Sequence, residues 1–317
     1  LQNASDAAVT DQSSDSQVPV LYRTQVTLQF NGTYAGLEER TAEKVGYAFD
    51  GWFTAKEGGK EVVSTDRVEI TENTTFYAHF TANTYKVTFD PSEGKVSPTE
   101  IDVTFGAEYP TLPVATKTGY TFEGWYLDGT KVSAGDTVET AGNHTLVARY
   151  TANTNTAFTV KYYLQNLDAN KKNLANTYNE LSSMATTGKG TTATDASIEG
   201  FKVAIAGAQF VEYKTNLAEN ALTISADGSL VVSLYYTRLT YTLTYSAPDS
   251  TGGEMKAENR YYGSAFALAD NGFTRTGYAF AGWATEANGA VVYADGAILE
   301  MSNADVTLTA KWTANTY

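Results

Sequence analysis

A seven-residue motif, Gly-Tyr-x-Phe-x-Gly-Trp, occurs three times in this chain, at Gly46 to Trp52, Gly119 to Trp125 and Gly277 to Trp283. Each copy is followed by Thr-Ala-Asn-Thr, beginning at Thr81, Thr151 and Thr313, so motif and tetrapeptide bracket one recurring unit. A chain with that internal period must be read as an array of supersecondary units, each with its own small core. The 317 residues divide accordingly into a flexible leader at 1–21 and modules at 22–82, 83–153, 154–238 and 239–317. Modules of about 60–85 residues bury modest cores and need the large aromatics they carry. The closing Thr313-Ala-Asn-Thr-Tyr317 duplicates Thr81 to Tyr85, where Tyr85 opens the next unit. The expectation is therefore a monomeric segment of a longer chain.

Each repeat opens on strict alternation: Val26, Leu28 and Phe30, then Tyr85, Val87 and Phe89, then Tyr241, Leu243 and Tyr245. Period two with one apolar face predicts half-buried strands. Closing strands are predicted at Phe76, Ala78 and Phe80, at Leu146, Ala148 and Tyr150, and at Leu308, Ala310 and Trp312. The region from Thr151 to Leu239 lacks the motif and reads as an interposed module. It opens on Phe158, Val160 and Tyr162, and its Asp227-Gly228 between two strand-like runs predicts a hairpin. The stretch Leu174, Tyr178, Leu181 and Met184 fits a helix or a strand. Tight junctions leave little room for swivelling, which predicts modules stacked as an elongated rod.

A formal charge of −14 repels phosphate backbones and anionic lipid, so no nucleic-acid partner is expected. No apolar run reaches the ~20 residues that span a bilayer, so direct membrane insertion is not expected. With no Cys there is no disulfide, thiolate metal site or Cys nucleophile. Only two His are present; His79 aligns with Arg149 and Lys311, and His144 with Thr74 and Val306, which reads as basic or polar surface rather than catalysis. Asp128-Gly129, Asp227-Gly228 and Asp295-Gly296 belong to no calcium loop and read as turns. No catalytic residue, metal ligand or cofactor is expected, and the chain reads as a non-enzyme.

The motif residues Gly46, Tyr47, Phe49 and Trp52, with Gly119, Tyr120, Phe122 and Trp125 and with Gly277, Tyr278, Phe280 and Trp283, are expected to form the structural core of the repeats. Adjacent strand residues point to opposite faces, so one Tyr of Tyr162-Tyr163 and one of Tyr235-Tyr236 should be exposed. These four make the candidate ligand surface.

The motif, its trailing alternating strand and the Thr-Ala-Asn-Thr junction resemble the internalin B B-repeat family, also called the Listeria-Bacteroides repeat, over about 22–82, 84–152 and 239–314. The resemblance implies mostly β or α+β architecture, as tandem small β-grasp (ubiquitin-like) modules. The first copy has 16 residues between Phe30 and Gly46 where the second has 30 between Phe89 and Gly119, so it departs from the pattern by about one strand and its turn. The central module, with Tyr162-Tyr163, Glu199-Gly-Phe201 and Ser233-Leu-Tyr-Tyr236, resembles mucin-binding-protein β-grasp repeats. Both resemblances imply an extracellular place on a bacterial cell surface or cell wall. Three roles follow as expectations: a stalk or spacer with an adhesive role, a module binding mucin or another host glycoprotein through outward Tyr, or an accessory region of a large secreted hydrolase.

Overall fold

The computed structural model describes residues 6–7, 26–38 and 40–316. It is built almost wholly of strands, and by compactness it falls into two units, Leu1–Thr151 and Ala152–Tyr317. Of the expected leader, only Asp6–Ala7 lies within the described residues; it pairs antiparallel with Val26–Thr27. Described buried hydrophobics gather in four clusters, one for each expected module.

In the first unit, the second module is a five-stranded sheet. Its opening strand Thr84–Asp90 lies between Glu100–Thr104, antiparallel, and the closing strand His144–Ala152, parallel. The motif strand Tyr120–Leu127 follows on the far side of the closing strand and turns into Thr130–Val132. Alternation holds: Val87 and Phe89 are buried while Lys86 and Thr88 are exposed. The first module retains the motif strand Tyr47–Phe53 against the closing strand Tyr77–Ala82. Its predicted opening strand is corrected, because Phe30 is half exposed. The strand ends at Thr27 and the chain turns at Asn31, with Gly32 N–H donating to Gln29 O. A one-turn helix, Ala35–Glu38, places Leu37 in the core instead.

The second unit repeats the plan twice. Thr156–Leu167 and Val231–Arg238 are the parallel pair of the central module, flanked by Leu174–Glu180 and Thr186–Gly190 on one and Ala208–Thr215 on the other. Leu174–Glu180 is thus a strand. The hairpin expected at Asp227-Gly228 does not form. Residues Leu222 and Ile224 bond to Ala196 and Thr194, and the turn instead delivers Ser229 onward to Val231–Arg238 in the sheet centre. The last module pairs Thr240–Ser246 in parallel with Val306–Ala314, with Glu258–Tyr261 and Tyr278–Ala284 outside them.

The motif's second glycine explains how Phe and Trp three residues apart share a core. In a regular strand positions i and i+3 face opposite sides. At Gly51 and Gly282 the ladder slips by one residue, a bulge that returns Trp to the face of Phe. Gly51, Gly124 and Gly282 share φ of 138°, 143° and 134°, open to glycine and strained for other residues. The consequence is an edge-to-face Phe–Trp pair at 5.4, 5.4 and 4.9 Å in the three repeats. Trp52, Trp125 and Trp283 are all buried. Trp52 and Trp125 donate Nε1–H to Arg40 O and Pro113 O at 2.8 and 2.7 Å, whereas Trp283 Nε1 has no partner among the described residues.

Trp125→Ala is expected to cost about 3–5 kcal/mol through the cavity it leaves. Trp125→Phe should cost about 1 kcal/mol more than Trp283→Phe, because only the former strands a carbonyl. Urea melts check this, and equal costs for the two Phe variants would remove the hydrogen-bond contribution.

Candidate functional site

The two His residues serve structure. His79 stacks on Phe53 at 3.9 Å with its Nε2 3.0 Å from Ala55 O, so Nε2 carries the proton donated to that carbonyl. Its repeat counterparts act alike: Arg149 lies over Tyr126, and Lys311 donates to Ala287 O at 2.6 Å. A basic side chain thus packs on the end of the motif strand or the turn after it in each repeat. His144, expected on the surface, is half-buried: Nδ1 donates to Gly142 O and Nε2 accepts from Tyr109 OH at 2.6 Å. Both nitrogens of His144 and the Nε2 of His79 are engaged with carbonyls or a phenol. Among the described residues no three His, Cys, Asp or Glu are grouped to hold a metal. Asp128-Gly129 closes the hairpin between Tyr120–Leu127 and Thr130–Val132, both residues at positive φ.

Of the candidate ligand surface, Tyr162 and Tyr236 are corrected. They are core residues at 3% and 1% exposure, donating their hydroxyls to Phe201 O and Val203 O, and burial raises both phenol pKa values. Tyr163 and Tyr235 occupy the other face, directly paired across the parallel strands and stacked at 5.0 Å. One face of each ring is used by the other, and Tyr235 has further neighbours: Tyr178 meets it edge-on at 4.9 Å and Lys214 lies 5.1 Å over it. Tyr163 OH donates to Glu180, which also pairs with Lys161. The Lys161 hydrogen bond holds the Glu180 carboxyl below its usual range. Asp168 is lowered chiefly by the Lys172 N–H and Asp227 chiefly by the Ser229 hydroxyl. This face is a cross-strand ladder of rings and ion pairs, which stabilises a sheet.

A second cluster, which the sequence reading missed, sits where modules meet inside each unit. The closing strand Tyr77–Ala82 is separated from Thr84–Asp90 by Asn83 alone, and Val231–Arg238 from Thr240–Ser246 by Leu239 alone. Asn83 N–H donates to Gly46 O at 2.9 Å while Asn83 O accepts from Phe105 N–H at 2.9 Å. Leu239 repeats both bonds, to Gly207 O at 2.8 Å and from Tyr262 N–H at 2.9 Å. The Phe105 and Tyr262 rings lie against Gly46 and Gly207, where any Cβ would come within 2.3 and 2.2 Å of a ring carbon. Both glycines sit at positive φ, 81° and 68°. Arg238 adds a 2.8 Å hydrogen bond to Tyr262 O. In the central module the equivalent donor to Asn153 O is Thr192, followed by Ala193 at φ 61°. The legible signal was an aromatic residue followed by glycine, Phe105-Gly106 and Tyr262-Gly263, lying 22 and 23 residues after Asn83 and Leu239. Of the motif tyrosines, Tyr47 borders the first joint and Tyr278 is exposed, so neither fills a core. Tyr47 meets Phe105 edge-on at 5.6 Å, and Tyr278 is 38% exposed.

A model of the Listeria-Bacteroides repeat domain matches residues 13–79, 85–149 and 241–311, well over half of the chain. The chain belongs to this repeat family. Internalin H of Listeria monocytogenes serovar 1/2a is 43% identical over 124 residues, covering 38% of this chain and 22% of that protein. A protein of Evansella cellulosilytica, named for the membrane, is 26% identical over 285 residues, covering 88% of this chain and 40% of its own length. The chain therefore spans less than half of these relatives. Two B repeat units of the collagen binding protein of Staphylococcus aureus align over 82% of this chain and 86% of theirs at 13% identity, with a TM-score of 0.10 that carries no argument. No described helix is long and apolar enough to cross a membrane.

Gly277 shares the positive φ of Gly46 and Gly207, but no described atom lies within 4 Å of a Cβ built there. Gly277→Ala should therefore cost only the left-handed strain of about 1–2 kcal/mol. Gly46→Ala and Gly207→Ala should cost more, since Phe105 or Tyr262 must leave; urea melts that rank all three equally would remove the joint. Lowered carboxyl pKa values at Asp168, Glu180 and Asp227 contribute stability above the ordinary carboxylate range, lost as pH falls through the folded-state values. Melting temperature should drop between about pH 5 and pH 2. A variant carrying Asp168→Asn, Glu180→Gln and Asp227→Asn should show a flatter drop over that window.

Proposed function

We propose that this chain is a non-enzymatic spacer in the extracellular part of a bacterial surface protein, made of small β-grasp modules in series as an elongated rod. The observation that carries this reading is the parallel pairing of opening and closing strands in the second, central and last modules. A chain entering along one strand and leaving along its parallel neighbour exits at the opposite end of the module. At about 3.3 Å per residue, entry and exit lie about 30 Å apart. One-residue linkers then pass the chain directly into the next sheet. The same parallel central pair with antiparallel flanks supports the β-grasp reading, and the internalin and membrane-named relatives support a surface location. The charge of −14 favours a hydrated exterior over a collapsed one.

A mucin or host-glycoprotein partner is the second reading. It needs open aromatic faces; Tyr235 has Tyr163, Tyr178 and Lys214 around its ring, while Tyr163 uses one face on Tyr235 and its hydroxyl on Glu180. A role beside a hydrolase would use the same spacer property and is decided by the rest of the protein. Small-angle scattering tests the spacer reading. Four modules in line should give a maximum dimension on the order of 100 Å or more. A globular profile with a radius of gyration of about 20 Å, as for one compact domain of this length, would overturn it.

A further inference from the structure

The last repeat carries one half of the joint that binds modules inside each unit. Asn315 N–H donates to Gly277 O at 2.9 Å, as Asn83 does to Gly46 and Leu239 to Gly207. Gly277 has the same positive φ, 78°. Tyr278 stands where Tyr47 stands, and Arg275 lies 4.0 Å over its ring as Lys44 lies 4.0 Å over Tyr47. The difference is coverage. Gly46 and Gly207 are buried under Phe105 and Tyr262, whereas Gly277 is half-buried with open space above it among the described residues, and Tyr278 is 38% exposed. Backbone, glycine, tyrosine and cation are arranged as at the first joint.

We propose that Gly277, Tyr278 and Asn315 form a docking socket for the aromatic–glycine turn of a further β-module joined in sequence after residue 317. The ring would lie against Gly277 and edge-on to Tyr278, as Phe105 lies to Gly46 and Tyr47. Its N–H would donate to the Asn315 carbonyl, as Phe105 N–H does to Asn83 O. Spacings of 22 and 23 residues at the two formed joints place that aromatic about as far beyond Asn315. A positive-φ residue must follow it, because Gly106 and Gly263 turn their N–H groups to Val138 O and Met301 O within their own modules. The socket selects a flat ring because a glycine with no Cβ offers a flat surface, and the bordering tyrosine edge adds a favourable quadrupole contact. This extends the spacer reading, yet the two fail separately, since scattering reports the shape of the 317 residues and the socket is read at Gly277.

The test is glycine-resolved NMR on the full chain and on the chain extended after Tyr317 by a copy of residues 86–151, which continues the Thr81–Tyr85 sequence as nature does. A ring lying on a glycine shifts its α protons upfield, so Gly46 and Gly207 provide internal references. Gly277 should move from an ordinary position in the full chain to join them in the extended chain. The Phe105→Ala change, made in the copy alone, should return it. A second extension by a copy of residues 242–314, carrying Tyr262, guards against a copy that does not fold. Unmoved Gly277 signals with the copy's Trp indole resonance dispersed, or a shift that persists after the Ala change, would overturn the proposal. So would a concentration-dependent Gly277 shift in the unextended chain, which would assign the socket to another molecule.

Discussion

Everything distinctive about these modules depends on the pairing of the first strand with the last in parallel. Antiparallel neighbours would return the chain to the end at which it entered, and successive modules would crowd one side. Parallel pairing, at Val87 beside His144, Val160 beside Val232 and Leu243 beside Val306, sends it out at the far end. Parallel strands need a long crossover between them. The crossover is where the repeats place their motif strand and their short edge strands. The first module has no such parallel pair among the described residues: its motif strand lies antiparallel to its closing strand, and the helix Ala35–Glu38 places Leu37 in its core.

Two glycines of the motif do different work. The second makes a bulge, so that Phe and Trp reach the same core; small sheets with no covering helix depend on that pair for buried area. The first, at Gly46, presents a bare backbone face to the next module, as Gly207 does in the central module, which lacks the motif. Because Gly46 and Gly207 carry no side chain, Phe105 and Tyr262 approach the main chain closely, and a one-residue linker is fixed by hydrogen bonds on both its N–H and its carbonyl. A linker so held loses most of its torsional freedom. The restraint at these two junctions comes from backbone geometry: a glycine face and hydrogen bonds on both sides of the linking residue.

The aromatic face of the central module, with Tyr163, Tyr235, Tyr178 and Lys214, uses its rings on one another across the sheet. Basic side chains at His79, Arg149 and Lys311 have three identities and one duty, which is to pack on the end of the motif strand or the turn after it. Substitution among them is physically easy, since a side chain that stacks on a ring or donates a hydrogen bond is all the position asks for.

By itself the sequence determined the repeat count, the strands with clean alternation at Val87, Phe89, Leu243 and Tyr245, the burial of the motif tryptophans and the family. These are local properties, written in period and composition. It misled at Phe30, where a turn signal at Asn31-Gly32 outweighed alternation, and at Asp227-Gly228, where a turn is real but the ladder beyond it goes to distant partners. Only the tertiary structure decided that Tyr162 and Tyr236 face inward while Tyr163 and Tyr235 stack outside, and that His144 is locked between Tyr109 and Gly142. It alone joined Gly46 to Phe105 and Gly207 to Tyr262. The reason is separation along the chain: which face of a strand is covered, and which ring meets which glycine, depends on pairings between residues 50 or more positions apart, and no local pattern encodes them.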